Sequence, residues 1–181
     1  MEIPPGNNVA RCLLAQFKIS FQLLSYHLDS LSVDECLWQP SKKGIYLKQV
    51  NADTWAGTLP ESEAYEVGPP NIAWLIWHID YWWSMVINHS FGNAALNKDE
   101  VIWQSSIEKI TNRFETLKEE WIERVNSLSS DDLESHRYSR WPIADCPFSD
   151  IAAWLNLELM KNAAEIGYIR FLYASREEKV M

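Results

Sequence analysis

Between Ser105 and Leu128, seven apolar residues recur at intervals of three and four: Ile107, Ile110, Phe114, Leu117, Trp121, Val125 and Leu128. Glu, Lys and Arg fill the opposite face. At about 100° per residue these apolar side chains form one stripe, and a helix of this kind must bury its stripe against another element. Three more segments read the same way. Residues 7–30 carry Ala10, Leu13, Leu14, Phe17, Phe21, Leu24 and Leu28, continued by Leu31, close to a heptad seam, with Asn7 or Asn8 as N-cap. Residues 71–89 follow Gly68-Pro69-Pro70, start at Asn71 and stop near Gly92. That helix is apolar nearly all round, which predicts burial on most sides, with Asp80, Ser84 and Asn88 as an outward polar edge. Residues 149–174 open on Ser149-Asp150 as cap and acidic first turn. Strand signals are scarce, and the best, Gly44 to Val50, is short. The pattern predicts an all-α four-helix bundle in one domain over residues 1–181.

The connections are long. Residues 31–70 contain Trp38, Pro40, a Lys42-Lys43-Gly44 turn, Trp55, Gly57 and the acidic cluster Glu61/Glu63/Glu66. Connections of this length are often functional lids. Residues 129–148 carry Trp141-Pro142 and Cys146-Pro147, which prevent helix continuation.

The charge balance excludes some partners. With 16 Lys+Arg against 25 Asp+Glu, the formal charge is −9, and no basic stripe interrupts it, so the chain is expected not to bind nucleic acid. The apolar window Ile72 to Ile87 is broken by His78, Asp80 and Ser84, which predicts no membrane span. Met1-Glu2-Ile3-Pro4-Pro5-Gly6 lacks the basic start and apolar run of a signal peptide. Cys12, Cys36 and Cys146 are odd in number and widely spaced, making neither a disulfide framework nor a Cys-x-x-Cys motif. A soluble, cytoplasmic protein is expected.

The chemistry is concentrated in two helices. In residues 149–174, Glu158 and Asn162 fall at the centre of the stripe formed by Ile151, Leu155, Ile166, Ile169 and Tyr173. A carboxylate is rarely buried without a partner. His78, which points away from the Asp80/Ser84 edge, is the best candidate to face them. Glu158 and Asn162 stand at i and i+4, the spacing by which a helix offers two ligands from one face. One imidazole and two oxygen donors would make an open, mixed N/O metal site able to activate water or a thiol. The same three residues also make a hydrogen-bonded cluster that fixes helix register with no metal. Asn is a poor transition-metal ligand.

Other candidates are weaker. His89 lies about three turns beyond His78, too far to share a metal with it. His27 reads as an edge residue, His136 as a solvated loop residue and Cys12 as packing. Arg137 and Arg140 near Trp141 would suit a substrate carboxylate or structural ion pairs. Trp74, Trp77, Trp82 and Trp83 read as core or as the lining of a pocket. Glu165 reads as a surface charge. No Ser-His-Asp arrangement, phosphate loop or dinucleotide motif is present.

Pro70-Asn71-Ile72-Ala73-Trp74-Leu75-Ile76-Trp77-His78-Ile79 and Asn156 through Arg170, with Leu31-Ser32-Val33-Asp34-Glu35 and Trp38-Gln39-Pro40, resemble the DinB/YfiT-like superfamily. The resemblance covers nearly the whole chain. It implies an up-down-down-up bundle, a homodimer, and a divalent metal held by three histidines in a cleft. It also implies hydrolysis of, or thiol transfer to, a small molecule. Position by position, His78 matches the first ligand, while Glu158 and Asn162 stand where the other two histidines belong, and Ala164 where Gly is common. The expectations are therefore three. One is a small-molecule enzyme with Zn or Ni on His78, Glu158 and Asn162, roofed by residues 31–70. The second is a non-catalytic relative whose cluster is structural or binds a ligand without metal. The third is a dimeric interaction module.

Overall fold

The computed structural model describes residues 7–62 and 64–176. The N-terminal segment read for a signal peptide, and Glu63 of the acidic cluster, lie outside the described residues. Four long helices dominate: α1 (Asn8–Leu28), α3 (Ile72–Phe91), α4 (Ile107–Ser127) and α6 (Phe148–Ala174). Two single-turn helices, α2 (Val33–Leu37) and α5 (Ser130–Glu134), sit in the connections.

The helix starts follow from capping chemistry, with one exception. Asn7 Oδ1 accepts the Ala10 N–H at 3.0 Å, and Asn71 Oδ1 accepts that of Trp74 at 2.9 Å. Asn7 also donates its Nδ2 to the Leu128 carbonyl at 3.0 Å, tying the start of α1 to the end of α4. The exception is α6. It starts at Phe148 behind Pro147, and no side chain caps it, so Ser149 does not serve. Packing sets that start instead: Phe148 is fully buried among Phe91, Trp121 and Tyr138.

α6 packs along α1 and α3, and α4 packs on the same two helices. Between them, Phe17 and Phe21 of α1 meet Trp83 of α3 across the core, with ring centroids 5.1 and 6.2 Å apart. The ends that meet set the helix directions. The starts of α1 and α6 lie with the ends of α3 and α4, through Asn7–Leu128, Phe91–Phe148 and Trp121–Phe148. At the other end, Arg170 of α6 donates to the His27 and Asp29 carbonyls at 2.9 Å each and to Glu35 Oε1 at 2.9 Å. Glu35 is buried, so this pair fastens α2 and the end of α1 to α6.

A small antiparallel sheet joins the two connections that flank α3. Its strands are β1 (Lys48–Asn51), β2 (Thr54–Ala56) and β3 (Ile102–Gln104), in that order, with Trp55 opposite Trp103. The sequence signal at Gly44–Val50 overlaps β1 only. β2 and β3 have three residues each, too few for period-two alternation to show. Beyond β2, Gly57 lies against the Trp77 ring, where a Cβ would collide, so only glycine lets the chain cross there. Cys12 is exposed rather than packed, because it sits just outside the arc that α1 turns inward. No helix among the described residues is long and apolar enough to cross a membrane.

Candidate functional site

His78 and Asn162, each on an inward helical face, are brought together by the packing of α3 on α6. His78 is 7% exposed and Asn162 1%, and they meet between α3 and α6 with His78 Nδ1 3.1 Å from Asn162 Oδ1. The other ring nitrogen is also engaged. Trp82, one turn along α3, directs its indole Nε1 at His78 Nε2 across 2.5 Å. An indole N–H only donates, so Nε2 accepts and the ring proton stands on Nδ1. Nδ1–H then donates to Asn162 Oδ1, and Asn162 Nδ2 donates to the Glu158 carbonyl at 2.7 Å. That last bond fixes which way the amide points. Trp74, one turn before His78, stacks on the imidazole with centroids 4.4 Å apart at 23°.

The electrostatics agree with a neutral ring. Burial lowers the pKa of His78 from 6.5 to about 4, against the opposing pull of the Asn162 hydrogen bond. Lys161 lowers it slightly further and Glu158 raises it slightly. Glu158 itself stands at the margin. It is half-buried, and its Oε2 lies 2.8 Å from Lys161 Nζ and 3.4 Å from Asn162 Nδ2. Its carboxylate therefore reaches His78 only through Asn162.

As arranged, these three side chains do not suit a divalent ion. An imidazole binds metal through an unprotonated nitrogen, and the Nε2 lone pair is already taken by Trp82. Asn162 Oδ1 accepts Nδ1–H, and Glu158 Oε2 is turned to Lys161 at the margin. The space bordered by Trp82, Glu158 and Asn162 is about 10 Å³, the lower limit for one water molecule. Among the described residues, no group of three or more His, Cys, Asp or Glu side chains is placed to hold a metal.

The other sequence candidates are dispersed. His89 Nε2 lies 3.2 Å from the Leu96 carbonyl, and its ring stacks on Trp141. His27 lies against Gly167 at the α1–α6 seam. Arg137 sits over the Tyr138 ring, and neither it nor Arg140 forms an ion pair among the described residues. Trp74, Trp77 and Trp83 are core, while Trp82 is half-buried and packs on Trp141 and Trp154. The described part of residues 31–70 reaches the start of α3, where the Thr58 carbonyl accepts the Trp74 indole N–H at 3.0 Å.

A family model of the DinB superfamily matches residues 16–166, which takes in α1 from its third turn through most of α6. The chain belongs to the DinB superfamily. No curated protein and no solved structure shows significant similarity to it. Within this DinB chain, two site features escaped the sequence reading. The first is the hydrogen bond from Trp82 to His78, although its i, i+4 spacing was there to be read. The second is the polar edge of α3, expected outward. Ser84 is in fact buried, and Asp80 Oδ1 lies 3.1 Å from Arg113 Nε on α4.

Proposed function

We propose that this DinB-superfamily chain works without a bound metal. His78, Asn162 and Trp82 form a self-satisfied structural node between α3 and α6, and the protein's role is non-catalytic binding. One observation carries the reading: both nitrogens of His78 are committed to protein partners, Nε2 to the indole N–H and Nδ1–H to the amide. A buried polar network in which every ring nitrogen has its partner holds helix register well, and it gives up those bonds if a ligand takes one member. The lowered pKa keeps the ring neutral at physiological pH, as a structural imidazole requires.

Elemental analysis of untagged protein, with calorimetric titration of Zn²⁺ and Ni²⁺ into wild type and His78→Ala, tests the reading. The expected result is no stoichiometric metal and no difference in metal uptake between the two proteins. One equivalent bound by wild type and lost in His78→Ala would replace this reading with a metal-dependent hydrolase or thiol transferase.

A further inference from the structure

The side of α3 turned away from His78 opens into a groove of about 470 Å³ between α3, α4 and β3. That volume falls within the range of small-molecule sites, about 300–1,000 Å³. Its floor is aromatic and aliphatic. Trp77, Trp103, Ile110 and Phe114 are each at least nine-tenths buried and all border the cavity. The Trp77 indole N–H is already spent on the Val101 carbonyl at 2.8 Å, and its ring packs against Gly57 and stacks on Tyr81, so it closes the floor without offering a polar group.

The groove's polar side carries two cations, Arg113 and Lys109, and two carboxylates, Asp80 and Glu100, and its cationic donors are partly unspent. Arg113 donates Nε to Asp80 Oδ1 at 3.1 Å and Nη2 to Ser84 Oγ at 2.7 Å, while Ser84 Oγ donates to Asp80 Oδ1 at 2.5 Å. Two faces of the guanidinium are thereby held by α3. Among the described residues, its Nη1 has no partner, and neither does the Nζ of Lys109, one turn earlier on the same helix. Glu100 also borders the groove, but its carboxylate accepts the Asn97 backbone N–H at 2.8 Å. In a chain of net charge −9, this is an apolar pocket with two available cationic donors on one wall.

We propose that this groove binds a small aromatic carboxylic acid. The ring lies on Ile102 and Ile110 beside Phe114, and the carboxylate is taken by Nη1 of Arg113 and by Lys109. A single negative charge suits the wall better than a phosphate dianion, because Asp80 already neutralises part of Arg113 and would repel a second charge. Fixing Nε and Nη2 in advance also lowers the ordering cost of the guanidinium on binding. The site is separate from His78 and does not depend on whether that cluster holds a metal.

The probe is 1-naphthylacetate, with 1-naphthylacetamide as its neutral isostere, titrated into the full chain by calorimetry and by ¹H–¹⁵N NMR of the tryptophan indoles. The acid is expected to bind, to shift the Trp77 and Trp103 indole signals and leave that of Trp82 in place. It should bind about tenfold tighter than the amide, the factor expected of one hydrogen bond to a charged group. Arg113→Met and Lys109→Met should each weaken the acid about fivefold or more and leave the amide unchanged. Because the amide reports the intact groove, a variant that misfolds is recognised by losing both ligands, and Arg113→Lys then serves as the folded replacement. Absence of acid binding in wild type, equal affinity for acid and amide, or shifts confined to Trp82 would each overturn the proposal.

Discussion

The two sides of α3 each carry a hydrogen-bonded polar cluster and behave in opposite ways. Toward α6, His78 sits among Trp74, Trp82 and Asn162 with both ring nitrogens used and about 10 Å³ of free space beside the cluster. Toward α4, Asp80, Ser84 and Arg113 also form a hydrogen-bonded triad, yet they border about 470 Å³ and leave donor capacity unspent. A buried polar group stabilises a fold when its bonds are complete, and it recognises a ligand when some remain open. The closed side should therefore respond to mutation in stability, and the open side in binding.

The largest effect is expected from His78→Ala. Removing a buried aromatic-sized ring and orphaning both partners should cost about 3–5 kcal/mol, a fall in melting temperature of roughly 10 °C by calorimetry. Close behind comes pH. The folded His78 has a pKa of about 4 against 6.5 for the ordinary side chain, so the unfolded chain takes up the proton first as pH falls. The stability owed to the neutral ring is complete above pH 6.5 and is lost progressively between 6.5 and 4, for a total of about 3 kcal/mol. Urea titrations across that range should show this loss in wild type and a smaller one in His78→Phe, where His27, whose pKa is also lowered by burial, still titrates.

Asn162→Leu should cost about 2 kcal/mol, because it strands the buried Nδ1–H. In the double variant with His78→Phe, part of that cost should vanish, since both ends of the bond go together. A strictly additive double-mutant cycle would break the description of the two residues as one unit. The smallest effect is expected on the open side. Arg113→Met removes a half-exposed ion pair and should change stability by about 1 kcal/mol or less in the same urea titration.

The closed side of α3 was partly legible in the sequence, and the open side was not. The four long helices, a cap at Asn7 or Asn8 and one at Asn71, and the inward faces of His78 and Asn162 follow from 3.6-residue periodicity and capping chemistry, whereas the meeting of those two side chains is set by how α3 packs on α6. Glu158 shares that stripe by spacing. Its longer side chain turns instead to Lys161 at the margin, a choice that helical geometry does not determine. The outward edge of α3 was misread for a related reason. Asp80 and Ser84 look like a solvated edge until Arg113 of α4 supplies the partner, and that pairing lies thirty-three residues away for Asp80. The three-residue strands were invisible because hydrogen bonding to one another, rather than side-chain alternation, defines them.

The most direct measurement of the central claim is the protonation and coordination state of the His78 ring itself. Long-range ¹H–¹⁵N correlation NMR on histidine-labelled protein at neutral pH, before and after addition of Zn²⁺, reads both nitrogens. The account predicts a neutral ring protonated at Nδ1, with Nε2 as acceptor, unchanged by the metal. A metal-shifted Nε2 at one equivalent of Zn²⁺ would contradict it.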